Sequence, residues 1–188
     1  MEIKKIKNED PRNAWPEEYI RVKDKVVLDL GCGFFGLTNT FKSGTMQWAN
    51  IKLPDMISTS EYFLNLGAKM VIGVDSNSSD IEYLINTIGN TNRSLFFGEE
   101  IRSPQKIEEL INKYNIEIIK SDIEGQESNL LGMNDNVFKS IKEYYVETHT
   151  SSVHEEFLKK FNIFNYNIRE IMAVGDAASP LVIFAYQK

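Results

Sequence analysis

Cysteine and histidine, the residues that form disulfides and zinc sites in small domains, are rare in this sequence. The 188 residues include one cysteine, Cys32, and two histidines. A single cysteine excludes an internal disulfide, and Cys32, His149 and His154 lack the spacing of a structural zinc site. No apolar run approaches the length of a membrane span, and no apolar segment follows the basic N-terminal residues. We therefore expect a cytoplasmic protein that does not enter a membrane.

Positive charge is also scarce. The chain has 21 lysine and arginine residues against 27 aspartate and glutamate residues, which gives a formal net charge of -6. A negative field repels polyphosphate, so we expect a small molecule rather than nucleic acid as the partner. Basic residues gather between positions 4 and 25, and we interpret them as a solvated face.

Short apolar runs alternate with amphipathic segments along most of the chain. Strands are predicted at 26–30, 70–75, 95–98, 116–122 and 143–148, and helices at 80–86, 105–114 and 153–161. The last two strands, 168–174 and 181–186, are too close for a crossover helix and should pair antiparallel. The pattern predicts a doubly wound α/β domain over 25–188, with a mostly parallel seven-stranded sheet and one reversed edge strand. Residues 1–24 form an N-terminal extension, with a short helix near 17–21.

A glycine-rich loop follows the first of these strands. Gly31-Cys32-Gly33-Phe34-Phe35-Gly36 lets the backbone approach a ligand closely, because glycine has no Cβ atom. Two carboxylates argue against a dinucleotide: Asp29 precedes the loop, and Asp75 lies 44 residues after Gly31, where dinucleotide sites place an acid after about 20 residues. An acidic loop suits the sulfonium and ammonium groups of S-adenosylmethionine.

Polar residues at the next strand ends complete the predicted cofactor site. Asp75 can accept both hydroxyls of a ribose, with help from Ser76. Glu99 can hold the exocyclic amine of adenine while Phe97 or Ile101 packs on the ring. The predicted cofactor-binding residues are Asp29, Gly31, Gly33, Asp75, Ser76 and Glu99. Helix caps or turns are the alternative interpretation of these acids.

Three segments carry a resemblance to a known family. Residues 26–33 and 73–76 resemble the class I methyltransferase pattern, and residues 119–127, Ile-Lys-Ser-Asp-Ile-Glu-Gly-Gln-Glu, resemble the FkbM family, as does the Leu-Leu-Gly at 130–132. The resemblance covers roughly residues 25–188 and implies a Rossmann-like methyltransferase fold with methyl transfer to an oxygen of a sugar or other small metabolite. Residues 37–60 are longer than the helix that usually joins the first two strands, and we interpret them as a lid or acceptor wall.

Acids and a histidine at two further strand ends are the candidates for catalysis. Asp122 and Glu124 follow one strand, while Glu147 and His149 end the next, so they can converge on one pocket. His149 has the intrinsic pKa best suited to a base that removes the acceptor proton. We predict Asp122, Glu124 and His149 as catalytic residues and favour a metal-free mechanism over Mg²⁺ bound by Asp122 with Glu124 or Glu147. Lys120 is expected to pair with an acid of this segment.

Two other functions remain open at this point. A nicotinamide-dependent oxidoreductase uses a similar glycine loop, but Asp29, the late Asp75 and the lack of a substrate domain disfavour it. A binding module with the same fold and no catalysis would hold the cofactor without turnover.

Overall fold

The computed structural model describes residues 4–8, 19–33, 58–173 and 181–188. The strands in these ranges are β1 Lys4–Asn8, β2 Val26–Leu30, β3 Met70–Asp75, β4 Ser94–Gly98, β5 Ile118–Ser121, β6 Glu143–Thr148, β7 Asn167–Ala173 and β8 Leu181–Tyr186. The helices are α1 Thr59–Asn65, α2 Ser78–Thr87, α3 Pro104–Tyr114, α4 Ser128–Leu131, α5 Asp135–Ser140 and α6 Ser151–Ile163.

One sheet contains all eight strands, in the order β1-β7-β8-β6-β5-β2-β3-β4. Within the described residues only β8 runs antiparallel to its neighbours, so the doubly wound, mostly parallel sheet with an antiparallel terminal hairpin is confirmed. The reversed strand was expected at the edge of the sheet, and this was wrong. It lies between β6 and β7, because β8 hydrogen-bonds to both of them.

The N-terminal segment differs from the prediction. Residues Lys4–Asn8 form an eighth strand that pairs parallel with β7, from Lys4 opposite Arg169 to Asn8 opposite Ala173. A lysine-rich strand gives no apolar pattern, and lysine is well tolerated on a sheet edge. The short helix predicted near 17–21 lies partly outside the described residues; Tyr19 has 3₁₀ conformation, whereas Ile20 and Arg21 are not helical. Ile20 and Val22 are buried and pack with Val27 and Phe63.

Helices cover both faces of the sheet because neighbouring residues on a strand point to opposite sides. Leu28 packs in the cluster that holds α3, α5 and α6, whereas Val27 packs with Phe63 of α1. The helix ends carry the expected signals: the Ser103 hydroxyl accepts from the Lys106 amide at the start of α3, which opens with proline. None of the helices among the described residues is long and apolar enough to cross a membrane.

The parallel strands β2 to β6 all end at one edge of the sheet, and the predicted site residues follow these ends. Ligands of doubly wound sheets bind at this edge. The predicted insertion at 37–60 lies outside the described residues up to position 57. Ser58 caps the start of α1, and its hydroxyl accepts a hydrogen bond from the Glu61 amide.

Candidate functional site

The glycine turn packs directly against the ends of β3 and β5. Gly31 has a φ of +74°, and a Cβ atom there would lie 1.7 Å from the carbonyl oxygen of Asp122. The Gly31 amide donates to the Val74 carbonyl at 2.8 Å, and the Gly33 amide donates to Asp75 Oδ2 at 2.9 Å. Glycine at position 31 is therefore a steric requirement of the turn.

Asp29 was predicted to bind the cofactor, but it does not line the cavity at the carboxyl edge of the sheet. Its carboxylate is fully buried, with Oδ1 at 3.2 Å from Lys120 Nζ and Oδ2 accepting from the Thr59 and Ser60 hydroxyls at 2.7 Å each. The Lys120 ammonium also donates to the Gly31 carbonyl at 2.6 Å. Asp29 and Lys120 thus form a buried ion pair beneath the glycine turn that also anchors the start of α1.

Lys120 was predicted to pair with an acid of the segment that follows β5. Its ion pair is instead with Asp29 of the neighbouring strand, although the charge of Asp122 also acts on it. Burial alone would lower the pKa of Lys120, but the charges of Asp29 and Asp122 outweigh it and raise that pKa. The ammonium therefore stays protonated. It holds the glycine turn through backbone carbonyls rather than through a ligand.

A cavity of about 260 Å³ opens at the carboxyl edge of the sheet, beside the glycine turn. It is lined by Gly31, Val74, Asp75, Ser76, Glu99, Glu100, Ile101, Asp122, Ile123, Glu124 and Gln126. Four of the predicted cofactor residues are in this set, as are two of the predicted catalytic ones. Gly33 lies behind the wall, where its amide fixes the Asp75 carboxylate.

The charge of the cavity is uniformly negative. Five acidic side chains line it, and no lysine or arginine is among the described lining residues. Glu99 is paired with Lys106 at 2.9 Å, so one of its oxygens is already used. Of the two candidates for packing on an adenine ring, Ile101 lines the cavity, whereas Phe97 packs with Tyr114 outside it.

A cluster of acids and one histidine lies beside the cavity, and two of its members, Asp122 and Glu124, line it. His149 Nδ1 lies 2.6 Å from Glu127 Oε1, and the buried Glu127 also accepts from the Gly125 amide at 3.1 Å. The other ring nitrogen, Nε2, lies 3.5 Å from Glu124 Oε2 and 3.8 Å from Asp122 Oδ1. The structure thus brings the three predicted catalytic residues together, with Glu127 as a fourth member.

The cluster changes the protonation expected for His149. The hydrogen bond to Glu127 raises the pKa of His149 to about 9, despite the opposing effect of burial. At neutral pH the free imidazole base that the sequence analysis assumed is therefore a minor species. Burial raises the pKa of Asp122, and burial together with the Asp122 charge raises the pKa of Glu147 to about 7.

Sequence reasoning missed the roles of Lys120 and Glu127, although each left a signal. Lys120 interrupts an otherwise apolar buried strand, and in the sheet it lies opposite Asp29. Aligning the two strands as parallel neighbours would have predicted the pair. Glu127 ends the acidic segment, but its contact with His149 joins residues from two strand ends and leaves no local pattern.

Comparisons with known proteins support the fold. No protein-family model matches the chain, and no curated protein matches it either. Among solved structures, a fibrillarin/Nop5p complex matches with a TM-score of 0.53 and 18% identity, covering 90% of this chain and 75% of that one. A precorrin-6y C5,15-methyltransferase from Geobacter metallireducens GS-15 matches with a TM-score of 0.54 and 12% identity, covering 91% and 84%. An rRNA methylase from Streptococcus thermophilus matches with a TM-score of 0.52 and 10% identity, covering 88% and 89%.

These similarities establish the class of fold, the Rossmann-like arrangement of class I methyltransferases. At such low identity they carry no further conclusion about activity. The resemblance to the FkbM family rests on residues 119–127 and 130–132 alone.

Proposed function

We propose that this protein is an S-adenosylmethionine-dependent methyltransferase that methylates a hydroxyl group of a sugar or another small metabolite. The observation that carries the proposal is the acidic cavity beside the glycine turn, at the edge of the sheet where doubly wound folds bind ligands. S-adenosylmethionine carries a sulfonium and an ammonium, so a negative cavity favours it.

The same charge disfavours the rival cofactor. A nicotinamide dinucleotide carries a pyrophosphate, and such sites offer helix amides or basic groups to it. Here five acids line the cavity. The cations beside it are already paired: Lys106 with Glu99, Arg102 with Glu100, Lys120 with Asp29 and protonated His149 with Glu127. The negative lining and the net charge of -6 also favour a small acceptor over RNA.

In the proposed site Asp75 receives the ribose hydroxyls. Its two oxygens are fixed by the amides of Asn77 and Gly33, at 2.8 and 2.9 Å, and each oxygen retains a lone pair for a ligand. Ser76, Glu99 and Ile101 line the same wall, where Ile101 can pack on adenine. The acceptor then lies toward Asp122 and Glu124, the two members of the cluster that line the cavity.

Methyl transfer requires an acceptor oxygen held in line with the methyl carbon. The oxygen lone pair forms the new C–O bond while the S–C electron pair returns to sulfur, and the hydroxyl proton passes to a base. Asp122 and Glu147 are the buried carboxylates whose pKa is raised, that of Glu147 to about 7, and a base works best near the ambient pH. His149, protonated and paired with Glu127, lies beside Glu124 and Asp122 and so helps to hold these two carboxylates at the cavity.

Calorimetric titration with S-adenosylmethionine, S-adenosylhomocysteine and NAD tests the cofactor. We expect the first two to bind and NAD not to bind. The Asp75→Asn variant should weaken binding at least tenfold, about 1.4 kcal/mol, whereas Asp135→Asn, an exposed aspartate on α5, should bind normally. Binding of NAD alone, or of none of the three, would overturn the proposal.

A second experiment tests the acceptor class. Formation of S-adenosylhomocysteine is followed with saccharides, other hydroxylated metabolites and RNA as acceptors. We expect turnover with a hydroxylated small molecule. Turnover with RNA only would contradict the acceptor class, and cofactor binding with no turnover on any acceptor would indicate the inactive binding module.

A further inference from the structure

The side chains around His149 form a set of ligands suited to a metal ion. One ligand atom from each of Asp122, Glu124 and His149 lies within 4.8 Å of the other two. A six-coordinate ion with bonds of about 2.1 Å places neighbouring ligands about 3.0 Å apart and opposite ligands about 4.2 Å apart, and the side chains would adjust within this range on binding. The distances from His149 Nε2 to Glu124 and Asp122, 3.5 and 3.8 Å, lie in this range and are too long for hydrogen bonds of normal strength.

We propose that Asp122, Glu124 and His149 bind a divalent cation of the Mg²⁺ or Mn²⁺ type. This differs from the metal-free mechanism that the sequence analysis favoured. Two carboxylate oxygens suit such hard cations, and a histidine beside carboxylates also occurs at manganese sites. Because Asp122 and Glu124 also line the cavity, the remaining coordination positions face the space where the acceptor would lie.

An unsatisfied buried oxygen provides independent support. The Asp122 side chain is 4% exposed, and its Oδ1 atom accepts no hydrogen bond from the described residues. Oδ1 is also the atom that faces His149 Nε2. A buried carboxylate oxygen without a partner is costly, and a bound cation would satisfy it. Glu147 Oε2 is likewise buried and accepts no hydrogen bond within the described part of the chain, and Glu147 lies close enough for its charge to act on Asp122.

The orientation of His149 matches the usual arrangement of a metal-bound histidine. Such histidines donate their second ring N–H to a carboxylate or carbonyl, which fixes the ring and turns the free nitrogen to the metal. Here Nδ1 pairs with Glu127, which is 1% exposed and held by the Gly125 amide. Nε2 is thereby directed at Glu124 and Asp122.

The role of the ion rests on the proposed function. An acceptor hydroxyl bound to the ion would have a lower pKa, so a weak base suffices. Asp122 would then act as a ligand and His149 would bind through Nε2 after losing its proton, which leaves Glu147 to take the proton of the acceptor. The binding site itself can be tested without any methyl acceptor.

Electron paramagnetic resonance of Mn²⁺ added to the purified protein measures binding directly. We expect one bound ion per chain, displaced by Mg²⁺, and a ¹⁴N coupling from one imidazole in spin-echo modulation spectra. Asp122→Asn should weaken Mn²⁺ binding at least tenfold, and His149→Gln should remove the ¹⁴N coupling. Glu127→Gln, which alters only the support of the ring, should weaken binding about 10- to 100-fold.

Two exposed residues serve as matched controls. Asp135→Asn on α5 and Glu82→Gln on α2 make the same chemical changes away from the cluster and should leave Mn²⁺ binding unchanged. Circular dichroism checks that each variant folds. The proposal is overturned if wild-type protein binds no Mn²⁺ at millimolar concentration, or if the Asp122 and His149 variants bind it as the controls do.

The two proposals fail separately. Binding of S-adenosylmethionine without binding of Mn²⁺ would overturn the metal site and leave the methyltransferase proposal in place. Specific Mn²⁺ binding without cofactor binding would do the reverse.

Discussion

Glu127 Oε1 lies 2.6 Å from His149 Nδ1, which links two strand ends that are 22 residues apart in the chain. The contact joins the loop after β5 to the residue that follows β6. Hydrogen bonds from His149 and from the Gly125 amide lower the pKa of the Glu127 carboxyl, although burial opposes them. The buried Glu127 carboxylate therefore determines both the charge and the orientation of His149 beside the cavity.

The first prediction concerns this pair in the presence of a chelator. Glu127→Gln should lower the pKa of His149 from about 9 toward its ordinary value of 6.5, because the main cause of the increase is the hydrogen bond to Glu127. Nuclear magnetic resonance of the imidazole protons over pH 5 to 10 would measure it, and His154 gives a separate signal. A transition that stays near 9 in the variant would show that Glu127 is not the cause.

The raised pKa of His149 also makes the free energy of unfolding depend on pH. Because the pKa of His149 is raised on folding, the protonated ring stabilises the fold fully below pH 6.5, and that contribution is lost as the pH rises through about 9. The difference in unfolding free energy between wild type and Glu127→Gln should therefore shrink from pH 6 to pH 10.

The second prediction concerns the buried ion pair of Asp29 and Lys120. Lys120→Met or Asp29→Asn should each destabilise the protein by about 3–5 kcal/mol, because each leaves a buried group without its partner. The double variant should cost clearly less than the sum of the two, as measured by urea unfolding in a double-mutant cycle. Additive losses would show that the two side chains do not act on each other. Ser60→Ala, which removes one hydroxyl donor to Asp29, should cost only about 1 kcal/mol.

The third prediction distinguishes two reasons why glycine is needed at a position: a positive φ and a lack of space for a Cβ atom. Gly31 and Gly125 both have positive φ, +74° and +95°, but a Cβ atom would meet the Asp122 carbonyl at Gly31 and nothing within 4 Å at Gly125. Gly125→Ala should therefore cost only the backbone strain, about 1–3 kcal/mol. Gly31→Ala should cost clearly more and abolish cofactor binding, as measured by urea unfolding and calorimetry. Equal costs would mean that the turn moves away from Asp122 easily.

Much of the sheet could be predicted because buried parallel strands are nearly continuous apolar runs. Val26–Leu30 is buried at every position, and its continuous apolar residues made the strand recognisable in the sequence. The strand Lys4–Asn8 could not be recognised in the sequence, because a polar strand at the edge of a sheet has no apolar run. The inner position of β8 depends on hydrogen bonds to both β6 and β7. The sequence of a single segment does not show which two strands will flank it.

The site was predictable to the extent that strand ends meet at one edge. That rule correctly brought Asp75, Glu99 and Asp122 to one cavity. It failed for Asp29, which lies within β2 opposite Lys120 and faces the core rather than the edge. It also gave no account of protonation, because the pKa of His149 depends on a carboxylate from another loop.

The last prediction concerns Glu117, which ties together the starts of three neighbouring strands. Its carboxylate accepts from Lys142 at 2.6 Å, from the Val26 amide at 3.3 Å and from Lys25 at 3.4 Å. Partial burial would raise the pKa of Glu117, but these hydrogen bonds outweigh it and lower that pKa below 4.5. The carboxylate therefore stabilises the folded state above pH 4.5, and this contribution is lost as the pH falls through the lowered pKa.

Glu117→Gln should accordingly reduce the free energy of unfolding at pH 7 by about 0.5–1 kcal/mol, a modest amount because solvent screens a partly exposed pair. The difference from wild type should narrow steadily between pH 5 and pH 3.5, as measured by urea unfolding at each pH. Glu156→Gln, an exposed glutamate on α6, makes the same change elsewhere and should follow wild type at every pH. A loss in Glu117→Gln that stays constant down to pH 3.5 would show that neutral hydrogen bonds, and not the charge, hold these strand ends together.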